Sequence, residues 1–230
     1  MSDRFETRSQ GLNDLLGGGF IKGEGTLFRY ETEGIADEVF LTVGIDVVDN
    51  MLSAVLVPRP SLSDADVEAY LELLNVSLES LLDNDQLVVI DTYGSWDGHE
   101  HRNIVRARTP ADVRTATEAG LERFRSRGTV HMVDIGALVS AFGQSETRQL
   151  RKWYTSDALR GSRDFLLEAA HVPPLSEELV EFYESMDDRV LRFYEEDDTV
   201  RIRVDSGPEE RRGEVKTVEF LQKPPFLQIT

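Results

Sequence analysis

The 230-residue chain contains no cysteine. That absence removes disulfides, thiolate nucleophiles and cysteine-built zinc or iron–sulfur sites together. Lysine is nearly missing too: Lys22, Lys152, Lys216 and Lys223 are all there are, and every other base is arginine. No apolar run reaches the roughly 20 residues needed to cross a bilayer, so membrane insertion is not expected. The opening residues MSDRFETRSQ lack the charged-then-apolar pattern of an export signal, and the expected location is the cytoplasm. No Ser-His-Asp or Cys-His spacing offers a nucleophile. The triplet Gly17-Gly18-Gly19 precedes a strand instead of following one, which excludes a dinucleotide-binding fingerprint.

What the chain has instead is acid. Asp and Glu number 43 against 25 Lys and Arg, for a net charge of −18. Such a field repels nucleic acid and anionic membrane unless a local basic patch overcomes it. The acid-rich, lysine-poor, cysteine-free composition resembles proteins of salt-in halophilic archaea. Acid distributed along the chain, not gathered in a tail, favours that reading over an acidic docking tail.

Hydrophobic periodicity predicts the elements. Gly25–Tyr30, Ser53–Pro58, Gln86–Asp91, Thr129–Asp134 and Phe165–Ala169 read as strands. Ile35–Val48 has helical spacing. Ser63 caps a helix whose apolar face is Val67, Tyr70, Leu71, Leu74 and Leu78. Thr109 and Pro110 start another, running to about Arg125. Further helices fall near Glu146–Ser156 and after Ser176, and 93–109 reads as loop. Arg189–Tyr194 and Thr199–Val204 form a hairpin, followed by strands at Val215–Leu221 and Phe226–Thr230. Alternation of strand and helix predicts an α/β domain with a parallel sheet covered on both faces. One domain is expected over 1–230: a flexible N-terminus at 1–10, an α/β core at 11–185 and a C-terminal β extension at 186–230.

A loop from strand to helix near the start of an α/β domain is where phosphate is commonly held. Here that loop, Tyr30–Asp37, reads YETEGIAD, with one glycine and no lysine. The preceding stretch GLNDLLGGGFIKGEGTLF, residues 11–28, resembles the N-terminal signature of the RecA/KaiC-like P-loop ATPase superfamily. That signature opens Gly-Leu-Asp-x-Leu-Leu-Gly-Gly-Gly-Ile ahead of the strand entering the Walker A loop. The resemblance implies a RecA-like three-layer α/β/α fold with a mostly parallel central sheet and a C-terminal antiparallel β-hairpin edge. In functional members a Gly-x-x-x-x-Gly-Lys-Thr loop wraps the phosphates, its lysine neutralises them and its hydroxyl holds magnesium. Laid on this chain, the first glycine falls on Tyr30, the second on Ile35, the lysine on Ala36 and the hydroxyl on Asp37. Gly34 is the one glycine left. Glu31, Glu33, Asp37 and Glu38 would repel a triphosphate. The family's acidic general base after the second strand is also missing, since Val55-Leu-Val-Pro-Arg-Pro60 carries no carboxylate. The Walker B aspartate has counterparts in Asp134 and, second by order, Asp91. A strand-end aspartate also caps turns.

With these departures and the halophile-like composition, the resemblance implies a degenerate, inactive, haloarchaeal-type member, and a pseudo-ATPase without a bound cofactor is expected. Its expected role is regulatory or scaffolding, through a protein partner that is itself or an active ATPase of the same fold. Two alternatives stay open. One is an enzyme or sensor using nucleotide or metal at the strand ends, built from Asp91, Asp134 and the histidines His99 and His101 of DGHEH. The other is a DNA-associated recombinase paralogue using Arg148, Arg151, Lys152, Trp153 and Tyr154, extended by Arg160 and Arg163. The first three lie within about one helical turn and are expected to share an interaction face; protein contact is favoured there over nucleic acid. His131 reads as a satisfied core residue, and His171 has no assigned role.

Overall fold

The computed structural model describes residues 4–49, 52–98, 100–124, 128–159, 164–223 and 225–230, with the backbone alone for 33, 36, 45, 48 and 49. Strands β1 (Arg4–Phe5) and β2 (Phe20–Ile21) pair antiparallel around helix α1 (Gln10–Leu15). Phe5 stacks on Phe20 at 5.7 Å and is buried, and the Thr7 amide donates to the Asn13 side chain at 2.8 Å. The terminus expected to be flexible is therefore docked from residue 4 onward. One aromatic and one asparagine hold it, which a count of polar residues passes over.

The α/β succession follows: β3 (Gly25–Tyr30), α2 (Glu33–Asp49), β4 (Ser53–Val57), α3 (Asp64–Glu72), α4 (Leu78–Asp83), β5 (Leu87–Asp91) and β6 (Ile104–Arg106). Then come α5 (Pro110–Arg123), β7 (Thr129–Asp134), α6 (Ile135–Phe142), α7 (Gln144–Trp153), β8 (Phe165–His171) and α8 (Glu177–Met186). Strands β9 (Arg189–Glu196), β10 (Thr199–Ser206), β11 (Val215–Phe220) and β12 (Leu227–Ile229) close the chain. Among the described residues these form a ten-stranded sheet in the order β12-β11-β10-β9-β3-β8-β7-β4-β5-β6. From β9 through β6 every neighbour is parallel; from β9 to β12 every neighbour is antiparallel. No helix among the described residues is long and apolar enough to cross a membrane.

Both faces of the parallel part are covered, so its strands β4 and β5 are buried along their whole length. Ala54 and Leu56 of β4 join the core beneath α2 and α3, while Val55 and Val57 join the core beneath α5 and α7. Glycine is required at several close approaches, two of which shape the fold. A Cβ on Gly19, at φ +95°, would collide with the Phe5 carbonyl, and one on Gly25 with the Asp187 carboxylate and the Arg151 guanidinium.

Two stretches depart from the expected elements. The helix after Ser63 ends early because Asn75 turns left-handed, at φ 58°, and Ser77 caps a new helix by accepting from the Ser80 amide. The expected single apolar face of Val67 to Leu78 is split between two helices. IGALVSAF, whose Ile135, Leu138, Val139 and Phe142 have helical spacing, folds as α6, a helix absent from the expected elements, between the Asp134 cap and Gly143 at φ 82°. Within the stretch read as loop, β6 adds an edge strand.

Candidate functional site

In open α/β sheets ligands bind beyond the carboxyl ends of the strands. Here the ends of β3, β4 and β7 bring Tyr30, Arg59 and Asp134 into one electrostatic cluster with Asp37 of α2. β3 stops at Tyr30 and α2 starts at Glu33, so Glu31 and Thr32 alone connect them. Backbone amides that cradle phosphate need the longer glycine-bearing loop.

Side chains take up the space. Tyr30 is fully buried, its ring stacked on Phe193 at 5.1 Å and edge-on to Phe28. Burial pushes its hydroxyl well above the ordinary tyrosine range, and the Asp134 charge pushes further while Arg59 pulls back. Glu31 pairs with Arg192 across the β3–β9 ladder. Gly34 is exposed in the first turn of α2, and Ile35 is buried in the core. Ala36, where the resemblance puts the lysine, lies in α2 with its side chain outside the described residues, as does that of Glu33. Asp37 faces the Arg59 guanidinium at 3.4 Å and accepts from the Ser61 hydroxyl at 3.2 Å. The cation at the end of β4 is thus held by the acid that stands where a hydroxyl would bind magnesium.

Asp134 is buried and caps α6, accepting from the Ala137 amide at 2.6 Å. Burial raises its pKa to about 6, against the pull of the Ala137 amide and Arg59 and with a push from Asp37. Asp91 is buried at the end of β5, with β4 between it and β7, so the two aspartates stand about 10 Å apart across two strand spacings. Its carboxylate accepts from the amides of Tyr93 at 2.9 Å, Gly94 at 2.8 Å and Trp96 at 3.3 Å. Both aspartates organise the turns that follow them.

His99 lies outside the described residues. His101 is engaged at both ring nitrogens, one 3.4 Å from Asp83 and the other accepting from the Asn103 amide at 3.1 Å. Among the described residues no group of three His, Asp or Glu is placed to hold a metal. His131 is fully buried but not satisfied: neither ring nitrogen has a hydrogen-bond partner, and Asp164 stands 3.8 Å away.

The expected interaction face of α7 is corrected. Thr147, Leu150, Arg151 and Tyr154 point inward, at the i, i+3, i+4, i+7 spacing of a buried stripe. Arg148, Lys152 and Trp153 remain toward solvent, with Arg148 paired to Glu178 at 2.9 Å and lying over the Phe182 ring. Arg114 lies over Trp153. Arg160 and Arg163 lie outside the described residues.

Arg151 instead serves a buried network that the periodicity misses. Its guanidinium pairs with Glu168 of β8 and, at 2.9 Å, with Asp187 ahead of β9. Burial drives the Glu168 carboxyl well above the usual range, with the Asp187 charge adding to it and Arg151 opposing. Asp187 rises to about 6, again through burial. The one visible signal was Glu168 itself, a lone acid in the apolar strand FLLEAA.

No protein-family model matches the chain, and no curated protein matches it in sequence. Solved structures do. A KaiC-like protein of Pyrococcus horikoshii OT3 superposes with a TM-score of 0.69 at 14% identity, over 99% of this chain and 98% of the other. A second P. horikoshii protein, crystallised with an unknown peptide, gives 0.68 at 15% over 100% and 99%. The flagellar accessory protein FlaH of Methanocaldococcus jannaschii gives 0.68 at 14% over 100% and 99%. The chain has the RecA-like fold of the KaiC-like proteins.

Proposed function

We propose that this chain is a RecA-like protein that does not hydrolyse nucleotide and acts as a regulatory or scaffold partner through protein contacts. The observation carrying the reading is the two-residue β3–α2 connection, closed over by Tyr30, with Arg59 held by Asp37. A triphosphate there would meet Glu31 and Asp37 without a free lysine. The loss of the general-base carboxylate at the end of β4 is independent support. A neighbour of the same fold crystallised with a peptide agrees with a role in protein contact. On this reading the chain is a single-domain, cytoplasmic protein of a halophilic archaeon, binding itself or an active ATPase of its own fold.

Titration calorimetry with Mg-ATP at high salt tests it. No heat of binding is expected. Micromolar affinity, or turnover abolished by Asp134→Ala, would sink the reading.

A further inference from the structure

Tyr70 of α3 stands between two grooves. One, of about 310 Å³, follows the starts of α2 and α3 past Asp37 and Asp66. The other, of about 440 Å³, lies between the end of α3 and the β11–β12 turn, lined by Leu73, Phe220, Leu221 and Phe226. Both are lined by Glu38 and Tyr70, and the Tyr70 hydroxyl donates to Glu38. The larger is of the size that accepts several side chains.

Three features set this surface apart. Leu73 is 55% exposed, more than any other large apolar side chain among the described residues. Phe226 packs 6.0 Å from the Tyr70 ring and holds φ at 59°, a conformation bulky residues avoid and that gathers at binding sites. From Pro60 to His101 there is neither lysine nor arginine, and Asp37, Glu38 and Asp66 line the grooves. Against them stands Lys223 on the β11–β12 turn. An apolar floor beside a wall of one charge sign is the complement of an amphipathic basic segment.

We propose that this groove docks a basic amphipathic segment of a partner protein. Its apolar side chains sit on Leu73, Phe220 and Phe226, and its lysines or arginines face Glu38, Asp37 and Asp66, which line the two grooves. A second copy of this chain would bring a net charge of −18 to an acidic wall, and nucleic acid would be repelled outright. The inference rests on the chain working through protein contacts, and its test contains no nucleotide. ATP binding would therefore remove the inactive reading and leave the groove standing, while a failed docking test leaves the calorimetry untouched.

The probe is a fluorescent lysine–leucine amphipathic helical peptide, with its glutamate–leucine counterpart as control, read by anisotropy. The lysine peptide is expected to bind and the glutamate peptide not to. Leu73→Asp, at an exposed position, and Glu38→Gln, which keeps an acceptor for the Tyr70 hydroxyl, are each expected to weaken binding, the first by about tenfold or more. Lys152→Glu, on the opposite helical layer, should leave it unchanged. Circular dichroism checks that each variant is folded, and amide shifts on binding should map to α3 and the β11–β12 turn. Absence of binding, equal binding of both peptides, an unchanged Leu73→Asp affinity, or shifts confined elsewhere each overturn the proposal. Self-association that Leu73→Asp abolishes would identify a second copy as the occupant and overturn the partner named here.

Discussion

Asp134→Asn separates the two roles an aspartate can have at the end of β7. Asparagine caps a helix about as well as aspartate, so the bond from the Ala137 amide survives and only the ionisation is lost. In the folded chain the Asp134 pKa lies near 6, against 3.8 when exposed. The native state therefore holds a proton that the unfolded state has released between about pH 4 and pH 6. Stability from this group is fully present below pH 4, falls as pH rises through 6, and stays lost above. The difference is worth roughly 3 kcal/mol at about 1.4 kcal/mol per tenfold. Arg59 and Asp37 act on the charged form in opposite directions, so their balance leaves burial in control. Urea unfolding followed by circular dichroism at pH 4.5 and 7.5 is the assay. The variant is expected to gain about 1–3 kcal/mol over the parent at pH 7.5 and to match it at pH 4.5. A variant destabilised at pH 7.5 would refute the reasoning, because it would mean that the ionised carboxylate is stabilised in place, as a metal-bearing Walker B aspartate would be.

Three other substitutions test the packing. Arg151→Met leaves Glu168 and Asp187 buried without their cation and should cost about 3–5 kcal/mol near neutral pH; adding Glu168→Gln should restore part of it, and a lone loss below 1 kcal/mol in denaturant unfolding would contradict the network. Gly44 lies in the interior of α2, where an added Cβ would meet the Met132 methyl at an ordinary 3.5 Å. Gly44→Ala should therefore raise stability by about 0.5–1 kcal/mol, and a lowered melting temperature would count against it. Gly25→Ala drives a methyl into the Asp187–Arg151 pair, and folded, fully stable protein would show that the network yields.

Local chemistry made much of the fold legible. Gly25–Tyr30, Thr129–Asp134 and the Thr109–Pro110 start of α5 were legible from β-branched and aromatic residues and from a capping box that operate within a few residues. The glycine opening at residues 11–19 pointed to the RecA-like fold, and the lysine-free composition of Tyr30–Asp37 is plain in the sequence. What was not legible depends on distant partners. Arg148, Arg151 and Lys152 are equivalent by spacing, and only Glu168 and Asp187, brought from β8 and the start of β9, decide that Arg151 turns inward. The hold of Asp37 on Arg59 likewise joins α2 to the end of β4. The break at Asn75 turns on one residue taking a left-handed conformation, which helical periodicity does not register.

The net charge takes on a different meaning once it is placed on the fold. Residues 30–101 hold sixteen acidic side chains and one base, Arg59, so this stretch carries −15 of the chain's −18. A uniform halophilic coat would spread acid in proportion to surface, and residues 102–163, which carry twelve bases and six acids, break that rule. Residues 164–230 hold seventeen acids but also eight bases; on α2, α3 and α4 the acid stands almost without bases, on the side of the molecule where a RecA-type phosphate loop and general base would stand. Holding a triphosphate demands cationic charge there; a chain released from that demand, with a partner bearing lysine or arginine, gains from the opposite sign. On the proposed reading, the lysine-free loop and the acidic groove are two consequences of one change in what this half of the sheet binds. Salt separates this from halophilic adaptation. If the acid serves docking, the affinity for the lysine peptide should fall steeply as ionic strength rises past the range where the Debye length shrinks below about 10 Å, while the stability of the fold need not rise with it.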